Sequence, residues 1–580
     1  MTRRTIIAAG LSILLTLTAA QAFVSLRTDG GAPLRWHEST ITVTLSTELD
    51  PAIADGSDEA AARAALATWE QASEGGLRLV TDDAPAARAR SDWQSDDLHL
   101  VWWDPADQSG LFPAGSGLIA MTPVDFDPRT GRILDADVIV DGRQRFSTRG
   151  ATDAYDLQAV LTHELGHLLG LDHSPLGGQT MSPVPLRGGD GGQASLAPDE
   201  LAALRALYPG ASATGALSGV VRRGDGSPVI GAHVVAEDER GQPASSTLSD
   251  AAGGFSLAGL PPGDYVVYAE PLLDASQLDA RTRRGLQTDF GTTFWGPGGR
   301  SSALSPARAR AQAGATVSLG ELSARAAGPL ARVALDPILL HPGEQARVRA
   351  QGSGLKGSLR IVVSGPLGAE PRVADPIVGL GVATFTLEAP SWARAQLHAL
   401  RIVNPDTGDA WVRGGALEVR DLGPRLLEVS PRQARPGERL TLRGERLGPG
   451  ASALVGGALV PLSGGGDRAE LVMPALPSGV WDLSVIAADG QRSSLLRSLE
   501  VPSDGAPGAA AAGATGAPTS GGAASAPAPS APGVAAAPPS SGGGGGCSLS
   551  STDTVGAPAG ALLILLVCLS LALRRDPSLG

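Results

Sequence analysis

Cysteine is nearly missing from this chain: its 580 residues contain two, Cys547 and Cys568, both beyond residue 546. A disulfide framework and any cysteine-ligated metal site are thereby excluded from the body of the protein. Aromatic residues are scarce at 4%, and charged residues amount to 18%. Basic charge is outweighed, with 46 Lys and Arg against 59 Asp and Glu, and the net charge of −13 lacks the basic footprint of a general nucleic-acid binder. No nucleic-acid partner is expected. The 77 glycines and 44 prolines, about a fifth of the chain, stay below the roughly 25–30% that marks wholly low-complexity sequence. Ordered domains must therefore alternate with biased segments, and at about 150 residues per domain the length allows three to four.

The two ends carry targeting patterns. Arg3 and Arg4 precede an apolar run from Thr5 to Ala19, and Ala20-Gln21-Ala22 follows. That order of charge, apolar core and small-x-small predicts a secretory signal peptide over residues 1–22, with a retained membrane anchor as the alternative. Near the other end, Val555 to Leu573 is 19 residues without a charge, followed by Arg574-Arg575, long enough for a transmembrane helix over 555–573. Residues 502–546 are dominated by Ala, Gly, Pro and Ser, with Asp504 the only charge, the composition of a disordered tether. Gly542 to Gly546, then Cys547-Ser548, ahead of the apolar helix and the Arg pair, resembles the MYXO-CTERM sorting signal over 547–580. The resemblance implies that Cys547 is the site of processing and lipid attachment, with the helix removed; an ordinary C-terminal transmembrane anchor is the alternative. Either way the expectation is an exported protein, membrane-anchored at the cell surface, on the outer membrane, or passed to the extracellular matrix.

Chemistry concentrates in residues 163–173, HELGHLLGLDH. His163 and His167 are four apart, which on a helix puts both imidazoles on one face about 6 Å apart along the axis, within reach of one zinc ion. Glu164, beside the first of them, reaches a water on that metal. Leu157, Val160, Leu161, Leu165, Leu168 and Leu169 form a broad apolar stripe, predicting a helix capped by Thr152 or Asp153. Gly170 allows the left-handed turn that ends it, and His173 swings back as third ligand. Three protein nitrogens leave the fourth tetrahedral position open, as a catalytic zinc requires. The remaining histidines, His37, His99, His233, His341 and His398, stand apart and are read as surface or structural residues.

The extended motif HELGHLLGLDHS resembles the zinc signature of metzincin metalloproteases, and Ser174 after the third histidine is the matrixin variant. Met181-Ser182-Pro183 resembles the Met-turn that in this family lies beneath the zinc ligands. Leu196 to Tyr208 resembles its closing helix, with Pro198 and two acids in the first turn and Leu201, Leu204, Leu207 and Tyr208 as the buried stripe. Leu34-Arg35-Trp36 and ITVTL as an opening strand, Glu59 to Ser73 as an amphipathic helix, and LHLVWW, GLIAMTP and ADVIVD as strands complete the likeness over residues 33–210. It implies an α+β metzincin fold, a twisted mixed sheet with an active-site helix, and one catalytic zinc on His163, His167 and His173. It also implies hydrolysis of peptide bonds in protein or peptide substrates by a zinc-activated water, with Glu164 as general base. Matrixins of animals bind a second, structural zinc, yet only His99 lies between His37 and His163, and Met121 stands near an expected ligand position; that second zinc is not expected. With no cysteine ahead of the motif, latency based on cysteine is not expected either. Asp125, Asp127, Asp135, Asp137 and Asp141 cluster around the strands and are read as a solvated acidic surface, with a calcium site as the alternative.

Past residue 210 the chain reads as β modules. Residues 214–328 alternate apolar and polar residues between Gly, Pro and Asp turns, and Gly253-Gly254-Phe255, Leu260-Pro261-Pro262-Gly263 and Tyr265 resemble the carboxypeptidase regulatory-like module. Phe290, Phe294 and Trp295 are read as an elaborated edge of that unit. Pro337 and Pro342-Gly343-Glu344 recur as Pro431 and Pro436-Gly437-Glu438, 94 residues on, a period of one sandwich per repeat at 329–421 and 422–501. Ser430 to Gly448 resembles the IPT/TIG module. The fold class is therefore multidomain, an α+β metzincin followed by tandem all-β immunoglobulin-like sandwiches. Two functions stand: a surface-tethered zinc endopeptidase, favoured because Glu164 and all three histidines are present, and a non-catalytic surface adhesion protein with a vestigial protease domain.

Overall fold

The computed structural model describes residues 25–503 apart from short internal segments, the longest being 184–191 and 273–282. The expected signal peptide, nearly all of the tether, Cys547 and the apolar 555–573 lie outside the described residues. Among the described residues no helix is long and apolar enough to cross a membrane.

Five strands of the first domain, β1 (Thr40–Leu45), β2 (Arg78–Asp82), β3 (His99–Asp104), β4 (Ala120–Met121) and β5 (Val138–Asp141), form one sheet in the order β2-β1-β3-β5-β4. Parallel register sets Val43 beside His99 and Val101 beside Val138, while β4 runs antiparallel at the edge with Ala120 beside Val140. Parallel strands covered on both faces read as unbroken apolar runs, and every residue of β5 is buried. The three longest helices of the domain among the described residues are α1 (Ser57–Ala72), α2 (Leu157–Leu168) and α3 (Pro198–Leu207). Leu66 and Trp69 of α1 and Leu161, Leu165 and Leu168 of α2 share one core with Val43, Val101 and Val138 of the sheet.

Two local expectations are corrected. The expected strand GLIAMTP shrinks to Ala120–Met121, because Pro123 has no N–H to extend the ladder and the Thr122 side chain turns to α2. The cap of α2 is Asp156, whose Oδ1 accepts the Ala159 N–H at 3.0 Å, rather than Asp153; Thr152, the other expected cap, lies outside the described residues. Tyr155–Asp156 is still extended, paired with Phe146–Ser147, and the Asp153 carboxylate pairs with Arg145, so the helix cannot start earlier.

Three β-sandwiches follow. In the first, a sheet of Gly254–Leu260, Gly215–Arg222 and Thr316–Ser323 faces a second containing Pro243–Leu248, His233–Glu237, Gly263–Glu270 and Thr293–Phe294. The segment past residue 290 thus supplies strands to both sheets. The second sandwich sets Ile338–Leu340, Ala410–Val419, Gln396–Val403 and Arg360–Val363 against Gln345–Gln351, Val382–Glu388 and Arg372–Val378. The third runs from Arg425 to Val501 as a three-stranded and a four-stranded sheet. Each encloses its own apolar cluster, around Phe255, Phe385 and Leu483 respectively.

Candidate metal centre

All twelve residues of α2 are buried, so its imidazoles meet inside the protein rather than on a washed face. His163 and His167 stand one turn apart with ring centroids 4.8 Å from each other. The helix closes at Gly170, whose φ of 93° lies in the left-handed region and whose N–H donates to His167 O at 2.9 Å. A Cβ there would sit 2.2 Å from the Leu34 carbonyl oxygen. This turn returns the chain so that the His173 ring lies 5.2 Å from that of His163 and 4.8 Å from that of His167. The ligand atoms of the three lie within 4.8 Å of one another, and among the described residues they form the one His, Cys, Asp or Glu group able to hold a metal ion.

The donor chemistry fits zinc. His163 Nδ1 is 2.8 Å from Thr180 O, and His167 Nδ1 is 2.8 Å from Leu171 O. A carbonyl only accepts, so Nδ1 carries the proton in both rings and Nε2 presents its lone pair. His163 Nε2 is buried with no hydrogen-bond partner in the protein, so a cation is the partner that its lone pair suits. Burial pushes His163 down to about 3, helped by the neighbouring His167, and pushes His167 down to about 4. Both are therefore neutral at pH 7, as metal ligation requires.

Glu164 is 1% exposed, and burial pushes its carboxyl up to about 7 against a hydrogen bond that favours the charged form. The donor is Thr122, whose Oγ1 lies 2.7 Å from Glu164 Oε2 and 3.2 Å from Glu164 O. Thr122 was not singled out by the sequence, because a threonine one residue past a short apolar run has no spacing signal.

Met181 is buried beneath α2, where a Cβ on Gly166 would lie 2.3 Å from its Sδ. Ser174 N–H donates to Met181 O at 2.8 Å, closing the loop between the third histidine and the Met-turn. Glu200 accepts the Met181 N–H at Oε1 (3.0 Å) and the Ala197 N–H at Oε2 (2.9 Å). Asp199 Oδ2 accepts the Ser174 hydroxyl at 3.2 Å. The two acids that suit a helix's first turn thus also tie down the loop. Trp36 Nε1 donates to Leu168 O and the Tyr208 hydroxyl to Leu169 O, each at 2.8 Å. These bonds satisfy carbonyls that the end of α2 would otherwise leave unpaired, so Tyr208 does more than fill the stripe.

Three of the five clustered aspartates do not lie on a solvated surface, while Asp125 and Asp127 are part-exposed as expected. Asp135, Asp137 and Asp141 are buried, and each carboxylate has a partner in the protein: His99 Nδ1 at 2.9 Å, Leu100 N–H at 2.9 Å and Arg143 Nε at 2.7 Å. Asp125 and Asp127 accept N–H groups of their own turns, from Phe126 and Arg129. Met121 packs in an apolar cluster with Leu100, Trp102 and Ile139.

No curated protein matches the chain. Among solved structures, an auxiliary nutrient binding protein of Bacteroides thetaiotaomicron is 24% identical over 13% of this chain and 19% of its own, with a TM-score of 0.12. A surface glycan-binding protein of Prevotella bryantii is 14% identical over 28% of this chain and 41% of its own, with a TM-score of 0.19. The titin domains Z1Z2 are 17% identical over 29% of this chain and 92% of theirs, with a TM-score of 0.15. At such TM-scores the likeness says nothing about function. The family matches agree with the geometry just described: residues 35–209 match the matrixin family, and residues 216–292 match the carboxypeptidase regulatory-like domain.

Proposed function

We propose that the chain is a zinc-dependent endopeptidase acting on proteins or peptides, exported and tethered at the cell surface. The matrixin domain supports the metallopeptidase part, and one observation carries the reading further: three buried, mutually facing imidazoles adjoin a carboxyl poised near neutrality. When bound, zinc supplies Lewis acidity that polarises a scissile carbonyl and brings the pKa of water toward neutrality. His163, His167 and His173 are the residues to hold it, two of them fixed in the ligating tautomer by carbonyls. Glu164 takes a proton from the attacking water and returns it to the leaving amine, a task suited to a group titrating near working pH. Thr122 steadies the carboxylate through Oε2. Enclosure of the centre keeps bulk water from screening these charges. Calcium has no part in this reading.

The purified chain should carry one zinc and cleave casein, and Glu164→Ala should keep the zinc and lose about 10²–10⁴-fold in kcat. No zinc and no cleavage would leave the adhesion protein as the better account. Export and tethering rest on the sequence patterns at 1–22 and 547–580. The mature chain should carry lipid at Cys547 and lack the apolar 555–573 by mass, and Cys547→Ala should keep that segment uncleaved; a parent chain that retains 555–573 without lipid would make that segment the anchor instead.

A further inference from the structure

The loop from Ser174 to Met181, which joins the third histidine to the Met-turn, does not end its contacts within the matrixin domain. At its tip, Leu176 is 2% exposed and lies in a cluster with Val235, Tyr268 and Phe294 of the first sandwich and Ala399 and Val412 of the second. The next residue, Gly177, donates its N–H to Gly414 O at 3.1 Å. The backbones meet so closely that a Cβ on Gly177 would fall 2.7 Å from Gly415 O, and one on Gly415 would fall 2.1 Å from Gly177 O. At the root of the loop, Asp199 Oδ2 accepts both the Ser174 hydroxyl, at 3.2 Å, and the hydroxyl of Ser246, at 3.1 Å, from strand Pro243–Leu248 of the first sandwich. The two sandwiches are in turn locked together by a buried ion pair between Glu237 and Arg401. A further link is the Ser364 hydroxyl, donating to Gly241 O at 2.6 Å.

Resting on the metallopeptidase reading, we propose that the first two sandwiches are working parts of the metal centre, holding the 174–181 loop and through it His173 and Met181. Leu176, Gly415 and Ser246 are the positioning residues of this coupling. A sandwich that served as a spacer would need neither an apolar socket for the tip of an active-site loop nor a shared carboxylate at its root. Partners that orient a metal ligand from outside the coordination sphere change affinity by about 10–100-fold when removed, and the same scale applies to residues that fix the loop carrying that ligand.

The test uses the full chain and three readouts: zinc affinity by chelator competition, kcat and KM on a peptide, and hydrogen exchange at the Gly177 and Ser174 amides. Leu176→Ala and Gly415→Val should speed exchange at both amides, weaken zinc about tenfold or more and lower kcat with little change in KM. Ser246→Ala should do the same more mildly, and Ser246→Thr, which keeps the hydroxyl, should restore it. Phe385→Leu, in the core cluster of the second sandwich that does not include Leu176, should leave zinc affinity unchanged. Should Gly415→Val fail to fold, the Leu176 and Ser246 variants decide. Wild-type zinc affinity and kcat in folded Leu176→Ala and Ser246→Ala would overturn the coupling while leaving the peptidase standing. A wild-type chain that neither binds zinc nor cleaves peptides would overturn both.

Discussion

The hydroxyl of Thr122 donates to Oε2 of Glu164 at 2.7 Å, so the edge of the sheet reaches across to steady the carboxyl on the active-site helix. A hydrogen bond to a charged acceptor contributes about 1.5–3 kcal/mol, and its loss leaves Glu164 Oε2 without the Thr122 donor that orients it. Thr122→Val, equal in shape, should keep zinc and the thermal midpoint but lose roughly 10–100-fold in kcat, since about 1.4 kcal/mol is a factor of ten. Thr122→Ser should recover most of it. Full activity in the valine variant, measured by peptide hydrolysis, would remove Thr122 from the proton-transfer machinery.

Gly170 is held by two independent constraints, a φ of 93° and a would-be Cβ only 2.2 Å from the Leu34 carbonyl oxygen. The left-handed conformation alone costs a residue with a side chain about 1–2 kcal/mol, and the backbone clash adds to it because Leu34 belongs to the buried core. Gly170→Ala should therefore destabilise the matrixin domain by more than about 2 kcal/mol in denaturant unfolding. It should also weaken zinc, because the turn aims His173. An alanine variant as stable as the parent would show that the N-terminal segment gives way easily.

The residues of the centre that were legible in the sequence are those set by local spacing. His163 and His167 follow from the helical repeat, Gly170 and His173 from short offsets along one stretch, and Met181 from the resemblance of its stretch to the Met-turn. What stayed hidden crosses the chain: Thr122 and Glu164 are 42 residues apart, and Trp36, whose backbone N–H donates to the Tyr208 hydroxyl at 3.1 Å, is 172 residues from it, distances that no periodicity encodes. The cap of α2 was misplaced because Asp153 and Asp156 look alike in sequence, and only the pairing of Tyr155–Asp156 with Phe146–Ser147 distinguishes them. Acids within ADVIVD suggested a wet surface, yet Asp137 and Asp141 are buried and bonded inside the sheet. The sandwiches showed themselves by alternation, whereas the Glu237–Arg401 pair that joins two of them has no sequence pattern at all.

Asp199 makes stability depend on pH in a direction opposite to that of an aspartate whose carboxylate is held by an ion pair. Burial pushes its carboxyl up to about 6 from 3.8, partly offset by the charge of His233 and by hydrogen bonds from Ser246 and Ser174. Its Oδ1 is buried without a hydrogen bond, which leaves the anion poorly solvated there. Because the folded pKa exceeds the unfolded one, the folded chain holds this proton more tightly. The resulting stabilisation is complete below about pH 4 and is lost as pH rises through about 6. A rise of about two units corresponds to a change on the order of 3 kcal/mol across that window. Asp199→Asn removes the titration while keeping an acceptor for the two hydroxyls. With chelator present throughout, so that metal release contributes nothing, the parent should lose stability relative to the variant between pH 4 and pH 7. The measured difference in thermal midpoint should bend near pH 6. A difference that stays flat across the range would mean that Asp199 is solvated or paired well enough to titrate normally, and that Ser174 and Ser246 meet a carboxylate at every pH in the window.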